Sequence, residues 1–568
     1  MYFGVFPMQK THLAYSVVGL VVLGAASFYL SENAQASAAE QFKIDTLSHL
    51  SPYIPAQCYT KPVSTNGQVN NSCFACHTDS KRPNFLNDSD VQLSYSFPGE
   101  AAKNPWLNMF KDRTTEVGRI TDDEILAYVR ESNYFTLEGK LALADHLEKN
   151  QSKYDSNNNG QWDGYVPDSY FNYDHQGFDK TPEGDYTGWR TYAYYPLPGG
   201  FMPTNGSTDD VSIRLAPAFR NNEQGQFDLT VYTVNLAIVE ALIKEQDIQI
   251  EPVDEAHLGV DLDKNGELTT ANLVRYEWAP RDGKFMSYVG QAKQQLAEKK
   301  VHLAAKLFPE GTEFLHSVRY LDLDENDDVA MSARMKELRY AKKQFWMNYY
   351  QLEELVEKEI KERYDFPDRT KLLRGSAEEG LTVAQGWTYQ GFIEDKRGAL
   401  RPQTFEEQAS CVGCHSGMGV LMDSNVSFYR KLPTESFQKG WYHWQQKSFA
   451  GTPDRIRETD GQPEYSYYLM NNPTGDEFRA NHEVKAKFFD QEGKPKPAAF
   501  ARLQQDISYL LLPSKSRALE LNKAYKVIVD EQSYIHGKAP IVKPLDDVMH
   551  KQVEVDQETG ITQTLNAF

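Results

Sequence analysis

Residues 73–77 read Cys73-Phe74-Ala75-Cys76-His77, and residues 411–415 read Cys411-Val412-Gly413-Cys414-His415. Four of the five cysteines therefore fall into two copies of one pattern, C-x-x-C-H. That pattern is an attachment site for covalent haem. The spacing follows from the chemistry: two thiols add across the two vinyl groups of one porphyrin, and the adjacent histidine lies under the iron as an axial ligand. Cys73, Cys76 and His77 would hold one haem, and Cys411, Cys414 and His415 a second. A four-thiolate zinc site would use both cysteine pairs but not explain the histidine after each. Thioredoxin-like pairs do not need that histidine either. Disulfides within each pair would be strained. Cys58, in Pro55-Ala56-Gln57-Cys58-Tyr59, is left over and reads as a buried free thiol near the first haem.

On these two motifs the sequence resembles the c-type cytochromes, specifically an exported di-haem member. The likeness covers the motifs and their surroundings and names no subfamily. It implies two covalently attached haem c groups and one-electron transfer outside the cytoplasm. It also implies a mainly α fold with irregular and minor β segments, in which two cytochrome c-like haem modules flank a middle domain with EF-hand-like loops. The sixth iron ligand then sets the chemistry, because Met or His closes the site and an open position admits peroxide or oxygen. For the second haem the candidate is Met470, 55 residues after His415, with His443 and His482 as competitors; Met418 and Met422 lie too close to His415 to swing round the ring. For the first it is Met109, 32 residues after His77, with His146 and His175 as alternatives. A looser resemblance links the chain to bacterial di-haem cytochrome c peroxidases, through Arg214-Leu215-Ala216-Pro217-Ala218-Phe219-Arg220-Asn221. The 338-residue offset between the motifs departs from that group. A peroxidatic site also needs a polar group above the iron. Glu406 and Glu407 are in the neighbourhood but read as a solvated acidic turn, so no catalytic residue is assigned.

The chain starts with Lys10 ahead of an apolar run, Leu13 to Leu30, followed by Ala34-Gln35-Ala36-Ser37-Ala38-Ala39. These are the three parts of a secretory signal, cut after Ala36 or Ala38. The rival reading is an uncleaved membrane anchor, since 18 residues is near the minimum for a span. No cysteine follows the run to carry a lipoprotein anchor. The expected location is periplasmic, soluble or N-terminally anchored, with membrane contact only if the segment stays. The chain has 568 residues, 60 Lys plus Arg and 80 Asp plus Glu, for a net charge of −20. That acidity argues against a nucleic-acid partner. It favours a redox partner protein with a basic docking surface.

Three acidic segments have alternating oxygen ligands. Asp261, Asp263, Asn265, Glu267, Thr269 and Asn272 surround Gly266 as in an EF-hand loop, with Asn272 replacing the closing Glu. Asp155, Asn157, Asn159, Gln161 and Asp163 repeat the pattern, with Val166 at its last position. Asp322, Asp324, Asn326, Asp327 and Asp328 lack both the Gly and the final acid. These are candidate calcium ligands, against a reading as metal-free Asx turns.

The organisation expected is a signal peptide over 1–36, a first haem module over 40–150, a middle domain over 151–330, a long amphipathic helix over 331–375, a second haem module over 376–500 and a helical extension and tail over 501–568. Thr121 to Glu124 reads as a helix cap. Residues 190–195 and 228–234 read as short strands. From Ala333 to Arg363, Met335, Leu338, Phe345, Tyr349, Leu352, Val356 and Ile360 recur mostly every three or four residues, which predicts one helix. Two other functions compete with electron transfer: a peroxidase-type oxidoreductase, and a binding protein built on the middle domain.

Overall fold

A computed structural model describes residues 47–80, 82–83, 86–416, 423–473 and 481–567. The candidate export segment, Met418 and Met422 lie outside the described residues. The frame is a nine-stranded antiparallel sheet in the order β1-β2-β3-β6-β7-β10-β9-β8, with β11 beside β10. Its strands are β1 (Phe178–Lys180), β2 (Tyr186–Tyr192), β3 (Thr208–Arg214), β6 (Glu313–Leu323), β7 (Val329–Lys343), β8 (Arg374–Ser376), β9 (Gly380–Thr382), β10 (Trp387–Glu394) and β11 (Leu400–Pro402). A separate hairpin pairs β4 (Ile248–Asp254) with β5 (Thr270–Val274). The helices that matter for the site and its frame are α1 (Asp122–Arg130), α2 (Leu229–Lys244), α3 (Glu255–Leu258), α4 (Tyr349–Asp365), α5 (Phe405–His415), α6 (Glu464–Asn471) and α7 (Lys515–Glu531).

This architecture corrects the expected mainly α fold of two cytochrome c-like modules around a middle domain. The sheet gathers strands from residues 178 to 402, so one β framework occupies the centre of the chain. The predicted helix over 333–363 is, over its first third, strand β7; only α4 is helical. The physical reason is burial on both faces. Met335 and Leu338 are fully buried on β7, and so are the intervening Lys336 and Glu337. A strand covered on both sides loses the apolar/polar alternation that marks a half-buried strand. Its charges are tolerated because each has a partner. Arg334 reaches Glu394 at 2.8 Å, Lys336 Nζ donates to the Gly206 carbonyl at 2.5 Å, and Lys343 meets Asp423 at 2.6 Å.

Residues 228–234 form the start of α2 rather than a strand. Asp228 accepts hydrogen bonds from the amides of Thr230 at 2.8 Å and Val231 at 3.1 Å, which caps the helix. The helix is apolar on nearly every side, from Val231 to Ile243, because it is the centre of the largest core cluster. Val211, Ile213, Phe314, Trp387 and Tyr389 of the sheet join that cluster. A second cluster joins α1 and α7 to Tyr320, Leu321 and Ile393. Two readings match the structure: the Thr121–Glu124 capping box opens α1, and residues 190–192 lie in β2.

The ends of the described chain run together. Isolated bridges join Thr60 to Met549, Ser94 to Glu558 and Lys103 to Gln552. The tail clasps the first cysteine motif: Asn566 Oδ1 accepts from Thr78 Oγ1 at 2.7 Å and from the Asp79 amide at 2.8 Å.

Candidate functional site

The first motif forms a single turn of 3-10 helix, Cys73–Ala75. Asn71 Oδ1 accepts from the Phe74 amide at 3.3 Å, and the amides of Cys76 and His77 both donate to the Cys73 carbonyl. Phe74 is buried edge-on against Tyr467 of α6, which anchors the turn. His77 Nδ1 lies 2.9 Å from Asp88 Oδ2. Asp88 is buried, and its other oxygen accepts from the Thr78 amide at 3.3 Å. Nε2 of His77 makes no hydrogen bond to a described residue.

The second motif ends α5. Thr404 and Glu407 close a capping box at the start of that helix, which fixes its direction. Glu407 is therefore no solvated turn: it is buried and paired with Arg401 at 2.8 Å. Glu406 accepts from the amides of Ser48 and His49. Neither is a cavity residue. His415 Nδ1 lies 2.8 Å from the Ser424 carbonyl oxygen, and its ring rests on Tyr389 with centroids 4.5 Å apart. Burial pushes the His415 imidazole down to about 4, so it is neutral at pH 7 with Nε2 available as a ligand.

Two adjoining cavities hold these groups, except Cys73, which lines neither. The larger, about 790 Å³, is lined by Cys58, Cys76, His77, Gly413 and Cys414, with Leu352 and Val356 of α4 opposite. The smaller, about 360 Å³, is lined by Cys411, Cys414 and His415. Both fall in the size range of pockets that hold organic ligands, about 300–1,000 Å³. Cys414 lines both, so motifs 338 residues apart in sequence share one wall in space. Gly413 makes the approach possible: a Cβ there would lie 2.0 Å from the Tyr53 carbonyl oxygen. Burial pushes the Cys73 and Cys414 thiols up to about 11, and those of Cys58 and Cys76 higher. Cys414 is nonetheless exposed, because its open surface faces the cavities.

One face of the sheet floors the smaller cavity. Phe314, His316 and Val318 of β6 and Glu337, Arg339 and Ala341 of β7 alternate along their strands onto it. His316 sits directly across from Arg339. His316 Nε2 lies 2.9 Å from Asp209 Oδ2, and Arg339 pairs with Glu337 at 3.1 Å. Sequence reasoning missed Asp88, His316 and Arg339. Only the strand register brings the last two to the second motif, and no local pattern encodes it.

The other predicted residues fall elsewhere. Met109 is buried and lines the smaller cavity, beside the second motif rather than the first. Met470 is half exposed on α6 and lines neither cavity. His146 bonds Tyr154 and His443 bonds Asp210.

The acidic loops are not EF-hands. Asp261–Asn272 runs from the single turn α3 into strand β5, so the second helix of that motif is missing. Asn272 is exposed within β5. Asp261, Asp263 and Glu255 do gather, but Glu255 already accepts from the Leu262 and Thr269 amides, and no calcium is assigned. Asp155 accepts from the Asn157, Asn159 and Gly160 amides, and Asp163 from the Asn157 and Asn159 side chains. Asp324 closes the β6–β7 turn in the same way. These oxygens hold Asx turns. Among the described residues, no three Cys or His ligand atoms converge within 4.8 Å, which leaves the four-thiolate zinc site without a geometry.

A family model described as "-like lipoprotein" matches residues 44–508. An "Uncharacterized lipoprotein" of Aquifex aeolicus (strain VF5) is 31% identical over 546 residues, covering 86% of this chain and 85% of that protein. No solved structure matches. These matches, with the β framework, overturn kinship with the c-type cytochromes and the di-haem peroxidases, together with the EF-hand assignment. The chain belongs to this lipoprotein family, and it is an exported protein.

Proposed function

We propose that this protein carries two covalently held haems and passes single electrons between them outside the cytoplasm. The observation that carries the reading is the placement of Cys76 and His77 of the first motif, and of Cys411, Cys414 and His415 of the second, on two ligand-sized cavities, with Cys414 common to both. The fold belongs to another family, so the resemblance of the motifs to those of cytochromes is one of attachment chemistry alone. The residues fit the group on three counts. Each histidine is held through Nδ1, which leaves Nε2 for a metal. Burial raises the Cys73 and Cys414 thiols, which favours the S–H form that adds across a vinyl bond. In that addition one S–C bond forms, the hydrogen goes to the neighbouring vinyl carbon, and nothing leaves. The cavity walls supply apolar surface, including Leu352, Leu355 and Val356.

Bound haem would supply a one-electron couple that the side chains lack. The chain's part would be to hold one group through Cys73, Cys76 and His77 and the other through Cys411, Cys414 and His415, and to set each environment. A net charge of −20 favours a basic redox partner, with association that slows as salt rises. The segment Leu13 to Leu30 gives two forms of export, a soluble periplasmic protein or one tethered by that segment.

A second reading, an oxidoreductase acting on peroxide, is favoured by one feature. His316, oriented by Asp209, and Arg339 stand together on the floor of the smaller cavity. A proton-carrying imidazole beside a guanidinium is the equipment needed to move a proton and stabilise negative charge on oxygen.

Visible absorption of the exported protein, oxidised and reduced, with and without carbon monoxide, tests both. Two low-spin haems indifferent to carbon monoxide support the carrier. A haem that binds carbon monoxide supports the enzyme, and His316→Gln should then slow peroxide turnover. Absence of covalent haem defeats both.

A further inference from the structure

We propose that the two centres are built unequal, with Asp88 holding the first at the lower potential so that electrons fall from the first motif to the second. The inference rests on the di-haem reading and concerns the partners of the two histidines. His77 Nδ1 faces a carboxylate, Asp88 Oδ2, at 2.9 Å, whereas His415 Nδ1 faces a neutral carbonyl, that of Ser424, at 2.8 Å. A carboxylate that accepts the Nδ1 proton makes the imidazole more basic and the better donor to a metal. The stronger donor favours the oxidised ion.

Charge acts in the same direction. Asp88 is buried and has no Lys or Arg within salt-bridge distance among the described residues; its side-chain contact is with the His77 imidazole. Its negative charge therefore favours the more positive iron state nearby. At the second motif a guanidinium shares the cavity with the histidine. Arg339 lines the smaller cavity together with His415 and Cys414. It is offset in part by Glu337, which it shares with Lys538 at 3.2 Å. His316 on that side faces the carboxylate of Asp209 and so adds no net positive charge. The carboxylate on His77 against the carbonyl on His415 is thus the main difference between the two centres, and Arg339 adds to it.

Asp88 is a positioning residue, since it reaches the metal only through His77. Its backbone role is served by either carboxyl or amide, because the Thr78 amide needs only an oxygen acceptor. Asp88→Asn can keep that contact through its one oxygen, while its NH2 group, a donor, replaces the acceptor at His77 Nδ1 and the charge is removed.

The test is a spectroelectrochemical titration of the matured, exported holoprotein. The wild type should give two midpoints. Asp88→Asn should raise the lower one by about tenfold in the redox equilibrium, about 59 mV for one electron, and leave the upper one in place. Arg339→Gln should lower the upper midpoint and spare the lower one, and it serves as the test should Asp88→Asn fail to mature. Two bound haems whose lower midpoint ignores Asp88→Asn, or whose upper midpoint moves instead, overturn the inference while leaving the di-haem reading intact. A protein without covalent haem overturns both.

Discussion

Gly413→Ala separates two opposing forces at the wall between the cavities. Gly413 lies in the last turn of α5, where alanine is the better helix former by about 1 kcal/mol. Judged by helix propensity alone, the substitution stabilises. The packing says otherwise. The new Cβ would lie 2.0 Å from the Tyr53 carbonyl oxygen and 2.8 Å from Pro55 Cδ, against 3.4 Å or more for ordinary contact. Segment 53–55 must therefore retreat by about 1.4 Å (3.4 − 2.0), and the nearest obstructing atom is backbone, which has no rotamer to change. Overpacking of this kind costs about 1–3 kcal/mol, and a backbone clash belongs at the upper end. Subtracting the helix gain leaves a net loss of about 2 kcal/mol. The assay is the urea midpoint by tryptophan fluorescence, which should fall with the slope unchanged. The retreat should also loosen Cys58 from the cavity and speed its labelling by a thiol reagent. An unchanged or raised midpoint with unchanged labelling would refute the contact between α5 and the Tyr53–Cys58 segment.

Two further outcomes are expected. Asp228→Ala removes the cap of α2 and should cost about 1 kcal/mol in the same denaturation assay. Glu337 is held down to about 2, against burial, by Arg339 and Lys538. Its folded value lies below its unfolded one, so its stabilisation is full above about pH 4.5 and drains as pH falls toward 2. The shift is worth at most about 3 kcal/mol, and Glu337→Gln should flatten stability against pH across that window.

What the sequence encodes locally could be read, and what depends on distant partners could not. The Thr121–Glu124 box is a contact between residues three apart, so its letters suffice. The C-x-x-C-H motifs are equally local. Their meeting at Cys414 depends on the residues between them, an offset of 338, folding into a sheet that no short window reveals. Residues 228–234 are rich in Thr and Val, which suit a pleated strand, but a cap at Asp228 and complete burial make a helix of them. Met335 and Leu338 fall at helical spacing by coincidence, because β7 buries both its faces. The acidic loops misled for a chemical reason. Asp and Asn at alternate positions serve a calcium ion or their own backbone amides equally well, and here the amides take them.

The central claim is that each motif holds its own covalent haem. Intact-mass measurement of the protein exported from a host able to attach haem, followed by peptide mapping, tests it most directly. The account predicts the mass of the chain plus two haems, with one on the Cys73–His77 peptide and one on the Cys411–His415 peptide. Cys411→Ala with Cys414→Ala should remove the second alone. An unmodified mass, with both peptides bearing free thiols, would contradict it.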